Sequence, residues 1–566
     1  MKKIISIILA ALLALGLASC GAANVGTDTG GTSTNNTVNT VNTVSTASDA
    51  AEPVVDQSIT AQEATGDFEM TSEDGTFTNS GNVYTVTSAG TYTATGLLEG
   101  QIIVDAGETD EVVIELSGAT INYGSDSPIK VISAGSVDIS AKKGTENVIN
   151  DTRSAKTADD DSQGEGAIYA KCDLKIKGNG VLAVNAGYNN GIHTTDDLKI
   201  QNLTLKVTAY NNALKGNDSV TVFSGDVVAI STNGDGVKTE NTDVSKNGVT
   251  RGDITISGGA VTVYAAGDGF QAAHNFEMTT GEDGSAPTVT VYTGSYSGYT
   301  AQDASTTSYK GVKVQNELNI KDGTITLQTY DDGLHADYGT SFDDGTKGQG
   351  TINISGGTVN MSVYAPENKT AGGRMGPGGG RGGWSGQQTV AGADGIHADG
   401  TLNISGGTIN VDSAYEGLEA NVINVSGGKT TVAANDDGVN ATKGNSTAQI
   451  NVTGGYLDVT VSPSADTDGI DSNGTYKQTG GVVITRGPNN QNMAAIDADG
   501  SVSISGGTLI VLGYGRVSAS GGVKTCSLSL HSAGEHTVTI DGTAYTFTNA
   551  YSYGGTACYS DAAVSS

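Results

Sequence analysis

The sequence predicts an all-β chain: a single-stranded right-handed parallel β-helix with three short strands per coil, roughly a dozen or more coils, and β caps at both ends. Three observations predict it. The phrase Ile-Ser-Gly-Gly or a close variant recurs, as ITISGGAVTVYAAGDGFQAA from Ile254, INISGGTVNMSVY from Ile352, LNISGGTINVDSAYEGLEAN from Leu402, INVSGGKTTVAANDDGVNAT from Ile423 and VSISGGTLIVLGYG from Val502. Around it apolar and polar residues alternate with period two, the pattern of a half-buried strand. The composition, 82 Gly but 7 Pro, 7 Phe and 1 Trp in 566 residues and 36% hydrophobic, is too lean for one large core and suits a narrow stacked one. A unit repeated every ~20 to 30 residues buries its apolar face against its neighbours.

One coil illustrates the assignment. In the copy from Leu402, Leu402 and Ile404 alternate with polar neighbours, Gly406-Gly407 makes a turn, Ile409 and Val411 alternate again, and Gly417-Leu418 opens a third strand. No segment inside the repeats sustains a 3.6-residue period without glycine, which excludes helices there. Less regular copies from Val112, Val137, Leu174, Leu198 and Val220 extend the array towards the N-terminus, and right-handed winding follows the general rule for parallel crossovers.

Residues 1–20 have the form of an export signal: Lys2 and Lys3, an apolar stretch from Ile4 to Leu15, then Leu17-Ala18-Ser19-Cys20. The last four resemble a bacterial lipobox, which implies a lipid on Cys20 and a place on the outer face of the membrane; a plain secretory peptide is the alternative. Residues 21–66, rich in Thr, Asn, Ser, Ala and Gly, form a flexible tether. The β-helix spans residues 67–520, with the segment 67–90 as its N-terminal cap, and residues 521–566 form a C-terminal β cap. Loops are expected around Asp159 to Glu165, Asn275 to Pro287, Ser295 to Ser308 and Ala365 to Gly392. Cys526 and Cys558 could pair in an exported chain, and Cys172 belongs inside a coil. The net charge of -32, from 61 acidic against 29 basic side chains, argues against nucleic acid as a partner.

The strand after the Asp-Gly turn carries the candidate chemistry. Its inward positions are apolar, and the residues that follow them point outward: His193, Lys215, Lys238, Gln271, Lys313, His335, His397, Glu419, Asn440, Asp471 and Asp497. A second row, two residues before the apolar one, reads Asn190, Asn212, Asp235, Asp268, Lys310, Asp332, Asp394, Glu416, Asp437 and Asp468. A third holds Asn217, Glu240, Asp337, Asp399, Asn421, Asn473 and Asp499. Carboxylates stacked at rung spacing repel, and a hard cation relieves them. Calcium is therefore the expected cofactor, with Asp196, Asp197, Asp218, Asp235, Glu240, Asp268, Asp332, Asp394, Asp437 and Asp468 as candidate ligands. Asp and Asn before Gly also serve any β-turn through bonds to nearby backbone, so both roles stay open. The strict nonapeptide of RTX calcium repeats is absent.

The stretch AIYAKCDLKIKGNGVLAVNAGYNNGIHTTDDLKI, with NNALKGNDSVTVFSG and TNGDGVKTEN, resembles the carbohydrate-binding parallel β-helix family of bacterial surface proteins, similar in architecture to pectate lyases. The resemblance implies binding of plant cell-wall polysaccharide, pectic or cellulosic, with calcium in the fold. On that basis His193, Lys215, Lys238, Lys313, His335 and His397 are expected to contact uronate or hydroxyl groups. Tyr188 and Tyr210, with Tyr264, Tyr330, Tyr364 and Tyr415, either stack on sugars or cover the coil corner. Two other readings remain. Lys215 or Lys238 could serve as the base of a calcium-dependent β-elimination, or the rod could be a non-catalytic adhesin or stalk. A monomer is expected. The insertion GGRMGPGGGRGGWSGQQ, with Trp384, Arg374 and Arg381, is either a mobile lid or a plain glycine-rich insertion.

Overall fold

Both glycines of the repeated phrase are dictated by how closely successive turns stack. A Cβ on Gly406 would collide with the carbonyl oxygen of Ser355 in the preceding turn, and Gly407 sits at φ +76°, a left-handed conformation that L side chains adopt only under strain. In the computed structural model, which describes residues 38–39, 59–157, 163–299, 308–364, 393–463 and 467–566, these turns lie one above another along the chain. All described residues belong to one compact unit, Val38–Ser566. Cys20, Trp384, Arg374, Arg381 and the tether up to residue 58, apart from 38–39, lie outside the described residues.

The molecule is all-β, a long mixed sheet system in which the body is parallel and both ends are antiparallel. The strand Asp253–Ile256 pairs in parallel with Phe276–Met278, Ala260–Ala265 with Thr288–Thr293, and Phe270–Ala272 with Val312–Val314. Each strand of this stretch thus meets the strand three places on. Register keeps like with like: Ile254 faces Phe276, which faces Leu318, then Ile352, Leu402, Ile423, Ile450, Tyr476 and Val502. Most of these side chains are fully buried in one continuous apolar cluster, and each aliphatic one contributes ~1.5–3 kcal/mol by leaving water.

The expected loop from Asn275 to Pro287 contains the strand Phe276–Met278, whose Phe276 fills the same core row as Ile254. Its three residues alternate correctly, but no Ser-Gly-Gly follows to mark them. Antiparallel pairs occur at the N-terminal end, Phe77–Ser80 with Val83–Val86, and at the C-terminal end, Thr508–Leu512 with Thr556–Ser560. Cys526 and Cys558 stand directly opposite each other in an antiparallel pair as free thiols. Residues 59–66, within the expected tether, touch the sheet: the Ala64 N–H donates to Thr120 Oγ1 at 2.7 Å, and Asn150 donates to Glu63 at 3.0 Å.

Candidate functional site

Because the inward residue of each third strand is locked into the core, its successor is forced outward at the same height on every turn. The register joins these outward residues into one row: His193, Lys215, Lys238, Gln271, Lys313, His335, His397, Glu419, Asn440 and Asp471, each facing the next. The row starts earlier than the sequence suggested, because Lys130 faces Tyr169 and Tyr169 faces His193. Their strands, Ile129–Ser133 and Gly166–Ala170, have Ser127 and Gly166 at the position where the other turns carry Asp, Asn, Lys or Glu.

The second row has a structural task. The side-chain oxygen of Asn190 accepts the backbone N–H of Asn212, Asn212 that of Asp235, Asp235 that of Asp268, and Asp268 that of Lys310. Asp332 does the same for Asp394, Asp437 for Asp468, and Asp468 for Ala494. One oxygen of each carboxylate is thereby committed to the backbone of the next turn, and the second is left for other partners.

Two stacked imidazoles occupy the middle of the site. His335 and His397 lie with ring centroids 4.8 Å apart and planes inclined by 26°. His335 Nδ1 donates to Asp332 Oδ2 at 2.8 Å and its Nε2 to Asp337 Oδ1 at 2.9 Å. His397 Nδ1 lies 2.7 Å from Asp394 Oδ2 and 3.2 Å from Glu419 Oε2, and its Nε2 is 3.3 Å from Asp399 Oδ1. Burial alone would lower both imidazole pKa values, but the facing carboxylates outweigh it and raise them. Lys310 Nζ also reaches Asp332 Oδ2, at 2.6 Å. Among the described residues, two groups bring three ligand atoms within 4.8 Å of one another: Asp332, His335 and His397, and Asp394, His397 and Glu419.

The acidic end follows. Asn440 is buried; its Nδ2 donates to Glu416 Oε2 at 3.0 Å, while its Oδ1 is buried with no hydrogen-bond partner. Burial, followed by the charges of Glu419, Asp394 and Asp437, raises the Glu416 pKa well above the usual range. Burial, with Asp436, Asp468 and Asp471 nearby, lifts Asp437 to about 8, and burial with Asp497 and Asp499 lifts Asp471 to about 6. An unpaired amide oxygen among crowded carboxylates is a donor set suited to a hard cation. Glu416, Glu419, Asn440 and Asp471 stood in the sequence rows, but nothing in the sequence singled them out as ligands.

The basic end is already paired. Lys215 binds Glu240 at 2.6 Å, Lys238 binds Asp235 at 3.0 Å, and Lys313 lies 3.9 Å from Asp337. Buried His193 donates through Nε2 to Asn217 Oδ1 at 3.2 Å; burial and then Lys215 push its pKa down to about 4. Tyr210 and Lys215 help line an open cleft of about 530 Å³ with Lys156, Glu165, Asn190 and Asn233. Tyr188 is buried, with the Arg153 guanidinium 4.0 Å above its ring. Tyr330 and Tyr364, both half-buried, stack at 4.4 Å. Of the earlier metal candidates, Asp218 binds Arg251 at 2.9 Å and Asn241 at 2.6 Å, Asp197 binds Lys199 at 3.2 Å, and Asp196 accepts the Thr195 hydroxyl. Asp268 is buried, and burial followed by Asp235 raises its pKa.

Known proteins are similar to parts of this chain. A solved structure, that of the polysaccharide lyase-like protein from C. thermocellum as its gadolinium derivative, is 34% identical over 44% of this chain and 90% of that one, with a TM-score of 0.36. A carbohydrate-binding domain-containing protein of Acetivibrio thermocellus is 42% identical over 125 residues, 21% of this chain. The match spans 44% of that relative's length. The family model described as carbohydrate-binding domain-containing protein matches residues 80–363 and 339–438. Those stretches hold the row from Lys130 to Glu419, and the chain belongs to this carbohydrate-binding domain-containing family.

Proposed function

We propose that this protein is an exported, lipid-anchored, monomeric cell-surface protein that binds plant cell-wall-type polysaccharide, pectic or cellulosic, with calcium and without turnover. The unbroken row from His193 to Asp471 carries the reading. Charged and hydrogen-bonding groups repeat along it at one inter-strand distance, ~4.8 Å. A linear, open row suits an extended polymer, whereas a small ligand needs a concave enclosure. The parallel pairing of each strand from Ile129–Ser133 to Val312–Val314 with the third one on supports a parallel β-helix as the form of the rod, and the general rule for parallel crossovers makes it right-handed.

Calcium would sit at the oxygen-rich end of the two rows, where Asn440 lies against Glu416 and Asp437 and Asp471 stand nearby. When bound, the ion would neutralise these carboxylates and offer coordination to a sugar carboxylate or hydroxyl. The early end would contribute Lys215, Lys238 and Lys313 as cations towards uronates, and Tyr330 with Tyr364 an aromatic face.

Binding is favoured over elimination by the state of the lysines. A lysine base must be neutral to take a proton. Burial would lower the Lys238 pKa, but Asp235, with Glu240 and Asp268, outweighs it and raises the value, and Lys215 is paired with Glu240.

The test is retention of the purified chain on insoluble pectin and cellulose, with calcium and with chelator. Retention that chelation abolishes supports the proposal. Absence of retention on every polysaccharide overturns it in favour of an adhesin or stalk, and ultraviolet-absorbing unsaturated product from polygalacturonate overturns it in favour of a lyase.

A further inference from the structure

The centre of the row differs chemically from its acidic end because it contains nitrogen. Two carboxylates converge on one ring nitrogen: Asp394 Oδ2 at 2.7 Å and Glu419 Oε2 at 3.2 Å from His397 Nδ1. Asp394 is buried, and its neighbours along the turn row, Asp332 and Glu416, are also acids, the first already paired with Lys310. Glu419 also hydrogen-bonds Asp394, so two acids and one imidazole nitrogen crowd a single point in a partly dry site.

We propose that Asp394, His397 and Glu419 bind a zinc-class divalent cation at the Nδ1 edge of His397. One imidazole nitrogen and two carboxylate oxygens, all within 4.8 Å of one another, form a mixed donor set typical of zinc. Calcium takes oxygen ligands and gains nothing from the imidazole. The opposite edge of the ring supports the same assignment. His397 Nε2 faces Asp399 Oδ1 at 3.3 Å, the carboxylate–histidine pairing that fixes a metal-binding imidazole with its other nitrogen towards the ion. On binding, the ion replaces the Nδ1 proton, which leaves to solvent. His335 caps the site, its ring stacked on that of His397. The Asp332 group is the poorer site because Lys310 Nζ already occupies its Oδ2.

The full chain, free of any polyhistidine tag and stripped with chelator, is dialysed against zinc alone and against zinc with a hundredfold excess of calcium, and cobalt is used as an optical probe. The expected result is one zinc per chain that calcium does not displace, with visible cobalt bands that zinc abolishes. His397→Gln and Glu419→Gln should each weaken zinc by about a hundredfold, and Asp399→Asn by ~10–100-fold as an outer partner. Circular dichroism verifies that each variant folds, and Asp399→Asn serves if the other two do not. Equal displacement by calcium, or zinc binding unchanged in the folded variants, overturns the proposal. Polysaccharide retention is scored separately, so failure of one assignment leaves the other standing.

Discussion

Asn440 donates its amide to Glu416 at 3.0 Å and leaves its own carbonyl oxygen buried with no donor. A buried acceptor without a partner costs ~1–3 kcal/mol, and Asn440 stands in the outward row between Glu419 and Asp471. A calcium ion that binds the native state would satisfy all of them and stabilise it by ~2–3 kcal/mol at a hundred times its dissociation constant. Calcium titration followed by thermal unfolding should therefore raise the midpoint of the native chain. Asn440→Leu and Glu416→Gln should remove most of that rise, and a rise that survives both places calcium elsewhere.

The same acids set the pH dependence. In the folded chain Asp437 titrates at about 8 and Asp471 at about 6, chiefly through burial, whereas unfolded aspartates titrate near ~3.9. Between those values the native state holds more protons than the unfolded one, so its stability falls as pH rises. In chelator the melting temperature should drop from pH 5 to pH 8.5. Calcium should flatten or reverse the slope by competing with those protons. His193, held neutral down to about 4, adds the opposite trend below its ordinary value of ~6.5, where the unfolded chain gains a proton that the native one refuses. A melting temperature that rises between pH 6.5 and 8.5 without metal would show that the carboxylates are not buried as described.

The glycine turns offer a comparison at constant backbone geometry. Gly407 and Gly144 lie at φ +76° and +77°, but a Cβ on Gly407 would sit 2.6 Å from the Gly356 carbonyl oxygen, while one on Gly144 meets nothing within 4 Å. Gly144→Ala should cost only the left-handed conformation, ~1–2 kcal/mol. Gly407→Ala should cost clearly more, because turns above and below must part. Equal losses in denaturant unfolding would mean that turn spacing does not constrain the phrase.

Such packing explains what the sequence could reveal. The outward row was legible because each member follows an apolar residue two places after a polar turn residue, Asp or Asn in most copies and Lys or Glu in the others. Register then aligns His335 with His397 although 62 residues separate them. Lys130 and Tyr169 escaped because no such turn precedes them, and Phe276–Met278 because no double glycine follows. The division of labour within each turn acid was not legible at all. Asp332 and Asp394 occupy the same position, yet a lysine at 310, where neighbouring turns carry an acid, neutralises the first and leaves the second to His397. One substitution on one rung decides which carboxylate remains available for an ion, and only three-dimensional stacking exposes it.

Arg486 makes the last prediction because its side chain is fully buried. Its Nη1 donates to Asp458 Oδ1 and, at 3.0 Å, to the Val459 carbonyl; its Nε donates to Asn549 Oδ1 at 2.7 Å, and the guanidinium lies 4.8 Å from the Phe547 ring centre. It thus ties the strand Val482–Arg486 to the strand Thr543–Asn549, joining the parallel body to the C-terminal segment. Arg486→Ala strands the Asp458 carboxylate away from water and should cost ~3–5 kcal/mol. Arg486→Met with Asp458→Leu removes both charges and should recover most of that loss, since a buried pair often contributes little beyond its apolar replacement. Limited proteolysis adds a local readout: the single variant should release the segment after residue 520 well before the body is cut. If the double variant is as unstable as the single one, the guanidinium acts by filling space and bonding Asn549, and the stranded charge is not what destabilises the chain.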